Sequence, residues 1–450
     1  MPPKFQAPTG TRDLYPREAA QRRYITEAWR STSAVHGFEE VDGPTFEHLD
    51  LYTVKSGEGI VSELFSFQRF GGEKTYALRP EFTPTLARLF AARANALPRP
   101  TKWFSVGPYF RAERPQRGRL REFLQWNADL IGDGSPAADA EIIGVCVGLM
   151  ERLGLTPAHV RVRTSNRLLI RDLSIHCGLP EEKADAWLGY LDGESKRSDA
   201  ENTAYLVHRG VPLHVRENFN ALLERIKTLK DPSTFSMEDF GIRLDTVDRH
   251  REMLTILRSM GILAWCQPPI DLRVVRGLAY YTGMVFEVHE ATGAERAIAG
   301  GGRYDNLVEL FGGPPTPAVG FGMGDVVLSL VLGDHGLMPG DEALAELAGL
   351  RPRVFVVSNG TPEADAAVPS VVAALRCSTP GHPGVHARRS YKATKNVGKL
   401  LQEAAASRAM FAVIVESGSH ATVKDLRTGA QDAAPRPLSE AVTALRATAS

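Results

Sequence analysis

Residues 102–132 read KWFSVGPYFRAERPQRGRLREFLQWNADLIG. The apolar runs at the two ends predict strands over 104–112 and 122–131, joined by a long basic loop. In the second strand a period of two places Leu124, Trp126, Ala128 and Leu130 on one face. The other face carries Phe123, Gln125, Asn127 and Asp129. A strand packed on one side ordinarily turns the other to water, which would make this an amphipathic hairpin. The loop points elsewhere. Arg111, Arg114, Arg117, Arg119 and Arg121 put five guanidiniums into eleven residues, with Glu113 among them. Such charges repel one another unless an anion is present. Forked donors suit phosphates, and an aromatic ring such as Phe123 suits a stacked base. The stretch therefore predicts a nucleotide or polyphosphate bound over a polar sheet floor.

The 450 residues are enough for two to four domains with large cores. Hydrophobic residues make up 43% and charged residues 24%, the balance of an ordinary globular protein. Formal net charge is zero, so any nucleic-acid partner must be met by local patches rather than by bulk charge. Cys146, Cys177, Cys266 and Cys377 form no CxxC pair, which argues against zinc and suits a reducing compartment. No apolar run approaches membrane-spanning length and no apolar leader opens the chain, so a cytoplasmic location with no membrane partner is expected.

Outside the hairpin, Arg276 stands between apolar Val275 and a glycine in a strand that reads as buried. An unpaired buried guanidinium is very costly, so an anion must face it, either a structural carboxylate or a ligand phosphate or carboxylate. In YALRPEFTPTLARLFAAR (76–93), Thr83 or Thr85 would cap a helix, with Glu81 just outside it. The run AGGGRYDNL (299–307) reads as a tight turn.

The run PYFRAERPQRGRLREFLQ resembles motif 2 of class II aminoacyl-tRNA synthetases, and most closely the histidyl-tRNA synthetase family. RGLAYYTG (276–283) is similar to that family's histidine-specific motif, with Ala279 where Asp is usual. PTGTRDLYP (8–16), the RPE-x-T run around Glu81, AGGGRYDNL and GFGMGDVVLSLVL (320–332) resemble its opening, its amino-acid pocket, its pocket-closing run and motif 3. The last departs from the pattern, with Val327 in place of an ATP-contacting arginine and Val326 in place of an acid. By sequence, Arg119 and Arg121 are the cations nearest to hand for compensation.

The resemblance implies an α+β fold. A class II antiparallel-sheet catalytic domain (1–176 and 266–335) would be interrupted by a helical insertion (177–265) and followed by a C-terminal α/β anticodon-binding domain (350–450). The insertion would touch the tRNA acceptor arm or act as a spacer. Strand, helix, strand, helix, strand over 354–358, 362–375, 385–388, 395–408 and 411–415 predict the last domain independently. Its Arg388, Arg389, Lys392, Lys395 and Lys399 form a basic cluster, suited to phosphates or to a solvated face. A linker is expected over 333–352.

The activity implied is ATP-dependent attachment of histidine to its tRNA through a histidyl-adenylate, by a homodimer using ATP with Mg2+. Arg111 and Arg276 would be catalytic at the α-phosphate. Glu113, Arg119 and Phe123 would bind the rest of ATP together with Arg111. Glu81, Thr83, Gln125, Asp129, Tyr280, Tyr281 and Tyr304 would hold histidine, and Arg114 and Gln116 would face the tRNA. No protein metal ligands are expected. The alternative from another class is a synthetase-like, catalytically inactive regulatory subunit of ATP phosphoribosyltransferase, which the loss at Val327 would suit.

Overall fold

The computed structural model describes residues 5–56, 58–227, 245–266, 268, 270–276, 280–293, 295–378, 384–392 and 394–447. The chain divides into two compact units, Met1–Tyr15 with Gln21–Met338, and Pro16–Ala20 with Pro339–Ser450. The fold is α+β.

In the first unit, the strands in chain order are β1 (Glu39–Glu40), β2 (Phe46–His48), β3 (Ser66–Gln68), β4 (Thr75–Leu78), β5 (Thr101–Phe110), β6 (Glu122–Ile131), β7 (Val160–Asn166), β8 (Met284–Glu290), β9 (Ala299–Arg303) and β10 (Ala318–Gly324). Seven of them form one sheet in the order β1-β5-β6-β10-β9-β8-β7, while β2-β4-β3 form a second, small sheet. Every pairing in the large sheet is antiparallel except β1 with β5. The first hairpin strand ends at Phe110, two residues earlier than the apolar pattern predicts, because the Ala112 N–H leaves the ladder for the Glu63 carbonyl.

The alternation in β6 decides which face is which. Trp126, Ala128 and Leu130 are buried under the helix Pro136–Arg152, whose Ile142, Val145 and Leu149 belong to the same core. Trp126 stacks on Trp29 at 6.3 Å and donates its indole N–H to Ser33 Oγ at 2.9 Å, so its one polar atom is satisfied in the core. The opposite face, with Gln125, Asn127 and Asp129, opens on a cavity. The sheet thus has one apolar face covered by helices and one polar face kept free.

Helices Arg167–His176, Ala184–Gly193, Asp199–His208, Leu213–Lys227 and Asp245–Ser259 bury their own core, with Leu169, Trp187, Leu206, Phe219 and Val247 among its members. Asp199–His208 opens with a capping box between Ser198 and Glu201. Val275, beside Arg276, packs into this helical core.

The helix Thr83–Ala91 corrects one sequence expectation. Neither threonine caps it: Phe82 is at the N-cap without a side-chain bond, and Thr85 Oγ1 donates to Glu47 Oε1 instead, at 3.3 Å. The expected linker also differs, since the helix Asp325–Asp334 runs into it and Asp341–Leu347 is a further helix.

The second unit carries β11 (Val354–Ser358), β12 (Ala387–Arg389), β13 (Phe411–Val415), β14 (His420–Asp425) and β15 (Arg436–Pro437) in one sheet, order β12-β11-β13-β14-β15. Strand β11 pairs parallel with both neighbours. Pro362–Arg376 and Leu438–Ala447 contribute to one core, Val397–Ala406 to another.

Candidate active site

A cleft of about 540 Å³ stands on the polar face of the large sheet. Of the residues singled out in the sequence, Glu81, Thr83, Arg111, Glu113, Arg119, Phe123, Gln125, Asp129, Arg276, Tyr280, Tyr281 and Tyr304 all line it. Arg114 and Gln116 do not; both are exposed on the hairpin loop. Ala279 lies outside the described residues.

The loop is shaped by its own hydrogen bonds and ion pairs. Gln116 and Arg119 exchange both backbone hydrogen bonds, closing a turn in which Gly118 takes a φ of +75°. Arg119 pairs with Glu113 at 2.5 Å, and Arg117 pairs with Glu295 at 2.6 Å. The Arg121 N–H donates to the Gly10 carbonyl, and its guanidinium donates to the carbonyls of Glu113 and Thr9. The opening PTG turn therefore braces the loop. Arg12 in the same opening run pairs with Asp325 at 2.6 Å, whose other oxygen accepts the Leu124 N–H.

Arg111 lies with its guanidinium 5.4 Å from the centre of the Phe123 ring and donates from Nε to the Pro80 carbonyl. Arg276 is not in a strand, as its apolar neighbours suggest; its φ is +57°, unusual for a side chain of this size. Arg167 holds that conformation by donating to the carbonyls of Val275 and Arg276, each at 3.0 Å. The Arg276 Nη1 donates to Glu287 Oε1 at 2.7 Å, so the expected anionic partner is in part a structural carboxylate. Its buried Nε has no partner among the described residues, which leaves a donor for a ligand. Burial opposes the charge on Arg276, but Tyr281 and Glu287 beside it outweigh that and raise its pKa. Burial would likewise raise Glu287, yet His289 and Arg276 draw it down to about 2. This ion pair stays charged at neutral pH.

The glycines of β9 and β10 make room for these side chains. A methyl on Gly300 would stand 2.2 Å from Arg276 Nη1, and one on Gly320 would stand 1.8 Å from Asp129 Oδ1. The AGGG run is thus a strand rather than a turn, and its bareness lets the polar side chains lie flat on the sheet.

On that floor, Gln125 donates to Asn127 Oδ1 at 2.7 Å and Asn127 donates to the Tyr109 hydroxyl at 3.2 Å. Tyr304 donates to Asp129. Burial pushes the Asp129 carboxyl up to about 7, with the Tyr304 bond pulling the other way. The Tyr280 hydroxyl donates to Glu81 Oε2 at 3.2 Å, and its ring lies 4.7 Å from that of Tyr281. The site therefore pairs a cationic wall, Arg111, Arg119 and Arg276, with an acidic and phenolic pocket built on Glu81, Asp129 and three tyrosines. One end suits a polyphosphate, the other a small cationic zwitterion.

Sequence reasoning missed Glu287 and Arg296 as members of the site, and put Asn127 on the polar floor without giving it a role. Alternation in β8 places Glu287 opposite the buried Phe286, a signal that was available. Arg296 stands in a connection without motif or periodicity, so only its position in space reveals it. Among the described residues, no cluster of three or more His, Cys, Asp or Glu side chains could hold a metal ion.

The profile of the histidyl-tRNA synthetase family matches residues 10–324. The histidine–tRNA ligase of Opitutus terrae is 43% identical over 340 residues, covering 74% of this chain and 76% of that protein. That of Halobacterium salinarum is 39% identical over 371 residues, 82% of each chain. The crystal structure of apo histidyl-tRNA synthetase from Staphylococcus aureus superposes with a TM-score of 0.69 at 21% identity, covering 98% of this chain and all of that one, a likeness of fold. Its sequence over most of its length makes this chain a member of the histidyl-tRNA synthetase family.

Proposed function

We propose that this protein attaches histidine to its tRNA in two steps within the cleft on the large sheet. The observation that carries the reading is that Arg111 and Arg276, from separate parts of the chain, line the same cavity as Glu81 and Asp129. A carboxylate oxygen of histidine attacks the α-phosphorus of ATP, the bond to the bridging oxygen breaks, and pyrophosphate leaves. The terminal ribose hydroxyl of the tRNA then attacks the carbonyl carbon of the histidyl-adenylate, and AMP leaves. No protein nucleophile is needed; positioning and charge stabilisation supply the catalysis. Arg111 and Arg276 hold the α-phosphate, and the free Nε of Arg276 is a donor for a phosphate oxygen. Arg119 and Phe123 take the rest of ATP. Glu81, Thr83, Gln125, Asp129, Tyr280, Tyr281 and Tyr304 enclose histidine.

Among the described residues no side-chain cluster makes a dedicated metal cage, but one or two carboxylates beside phosphates are how magnesium is usually held. Glu113, paired with Arg119 at the cationic wall, would take that part. Magnesium bound with ATP would neutralise charge on the leaving pyrophosphate.

Arg114 and Gln116, exposed at the loop, face the tRNA acceptor end, and the 388–399 cluster meets the anticodon region. On this reading 1–176 and 266–335 are a catalytic domain, 177–265 an insertion and 350–450 an anticodon-binding domain. A homodimer is proposed through the small sheet, where Phe46 and Phe67, 49% and 44% exposed, pack with Tyr76 into an apolar patch. A cytoplasmic location goes with this activity; among the described residues no helix is long and apolar enough to cross a membrane. The test is transfer of labelled histidine to tRNA. Histidine esterified to its own tRNA and to no other is the expected result, and binding of histidine without transfer would support a regulatory protein instead.

A further inference from the structure

Val326 and Val327 open the helix Asp325–Asp334 and line the cavity with apolar surface. Arg296 lines the same region. A methyl built on Gly118 would lie 3.2 Å from Val327 Cγ2 and 3.7 Å from Arg296 Cδ, so loop tip, valine and arginine stem meet at one point. The other loop arginines near it are engaged. Arg119 is paired with Glu113, Arg117 with Glu295 and Asp334, and Arg121 with main-chain carbonyls. Among the described residues Arg296 has neither a hydrogen bond nor an ion pair.

Its position is nonetheless fixed. Glu295, 9% exposed, precedes it and holds Arg117 of the loop, so the segment carrying Arg296 is tied to the cavity wall. Burial and the neighbouring Arg119 lower the Arg296 pKa; Arg111 acts in the same sense and Glu113 opposes them. A guanidinium on a tethered segment, lining one cavity with Arg111 and Arg119 and without an ion pair among the described residues, is a site for an anion.

We propose that Arg296 binds the outer phosphates of ATP, in the space beside Val327 where the helix itself offers no cation. This rests on reading the cleft as the ATP site. It assigns the compensation for Val327 to Arg296 rather than to Arg119 or Arg121, the cations that sequence order suggests, since both already have partners; Arg119 keeps its place among the groups around ATP.

The experiment is histidine-dependent ATP–pyrophosphate exchange with Arg296→Ala, alongside Arg111→Ala. Arg296→Ala should raise the KM for ATP about tenfold or more, the loss of one charged hydrogen bond. The KM for histidine and competitive inhibition by adenosine should stay the same. Adding Val327→Arg should recover part of the ATP affinity. If Arg296→Ala also lowers the melting temperature, Arg296→Met, which keeps the stem, is read in its place against the same expectations. An unchanged KM for ATP with exchange impaired in Arg111→Ala would overturn the role of Arg296 and leave the cleft as the ATP site. If neither variant affects exchange, the ATP-site reading fails and this proposal with it. Equal loss of adenosine and ATP affinity would place the contact on the nucleoside and overturn the phosphate assignment.

Discussion

The Tyr304 hydroxyl donates to Asp129 Oδ1 at 2.5 Å on the floor of the cleft, and this bond holds a buried carboxyl at the edge of ionisation. Burial raises Asp129 from its ordinary 3.8 to about 7, while Tyr304 favours the charged form. If the carboxylate receives the cationic substrate, histidine affinity should rise with pH through about 7. Free histidine titrates in the same range, so the informative quantity is the difference between two proteins. Tyr304→Phe removes the donor and should move the histidine KM profile upward by about one pH unit. Superimposable profiles for the two proteins would disconnect Asp129 from substrate binding.

The same residue sets a stability trend. The unfolded chain releases this proton near 3.8, whereas the folded chain keeps it to about 7. Between those values the folded state binds more protons, so this group makes stability fall as pH rises. Asp129→Asn should therefore melt at a higher temperature than the parent at pH 8 while binding histidine at least about tenfold more weakly, the loss of one charged contact. A lower melting temperature at pH 8 would contradict the assignment of a costly buried charge.

Arg276 should act on the rate of adenylation rather than on histidine binding. Arg276→Ala is expected to slow single-turnover adenylate formation about a hundredfold or more. Gly300→Ala should reproduce much of this effect without touching the arginine, because its methyl would stand 2.2 Å from Arg276 Nη1. Full activity in Gly300→Ala, with the same fold by circular dichroism, would show that the guanidinium works from elsewhere.

The sheet face and the hairpin were legible because both follow from local pattern. A period of two in β6 suffices to set Trp126 against the core and Gln125, Asn127 and Asp129 against the cleft. Charge density in 111–121 announces an anion. What escaped was whatever depends on distant chain: the bracing of Arg121 by Gly10, the Glu287 partner of Arg276, and Arg296. The glycines of 300–302 could be read as unusual, but the close approach that requires them appears only once β6, β9 and β10 lie side by side. The Thr83 and Thr85 capping expectation failed for a similar reason, since Glu47, remote in sequence, takes the Thr85 hydroxyl.

The fold of the first unit depends on a buried ion pair away from the chemistry. Arg303, 3% exposed, is held by Asp139 at 2.6 Å and Asp305 at 3.2 Å and donates to the carbonyls of Asp133 and Ser135. Asp139→Ala strands that charge and should destabilise the unit by about 3–5 kcal/mol, measured by urea unfolding. A loss below about 1 kcal/mol, typical of an exposed pair, would show that Asp305 alone satisfies Arg303.

In the second unit Lys395 and Lys399 are exposed at the start of the helix Val397–Ala406. Replacing both with Glu should weaken tRNA binding severalfold and flatten its salt dependence. Pyrophosphate exchange, which needs no tRNA, should be unaffected. Unchanged tRNA affinity would make the cluster a solvated face.

The central claim is that one cleft activates histidine with ATP, and histidine-dependent exchange of labelled pyrophosphate into ATP by the purified protein tests it most directly. Exchange that requires histidine and is not supported by other amino acids is the predicted result. Tight histidine binding with no exchange at any ATP concentration would contradict the account.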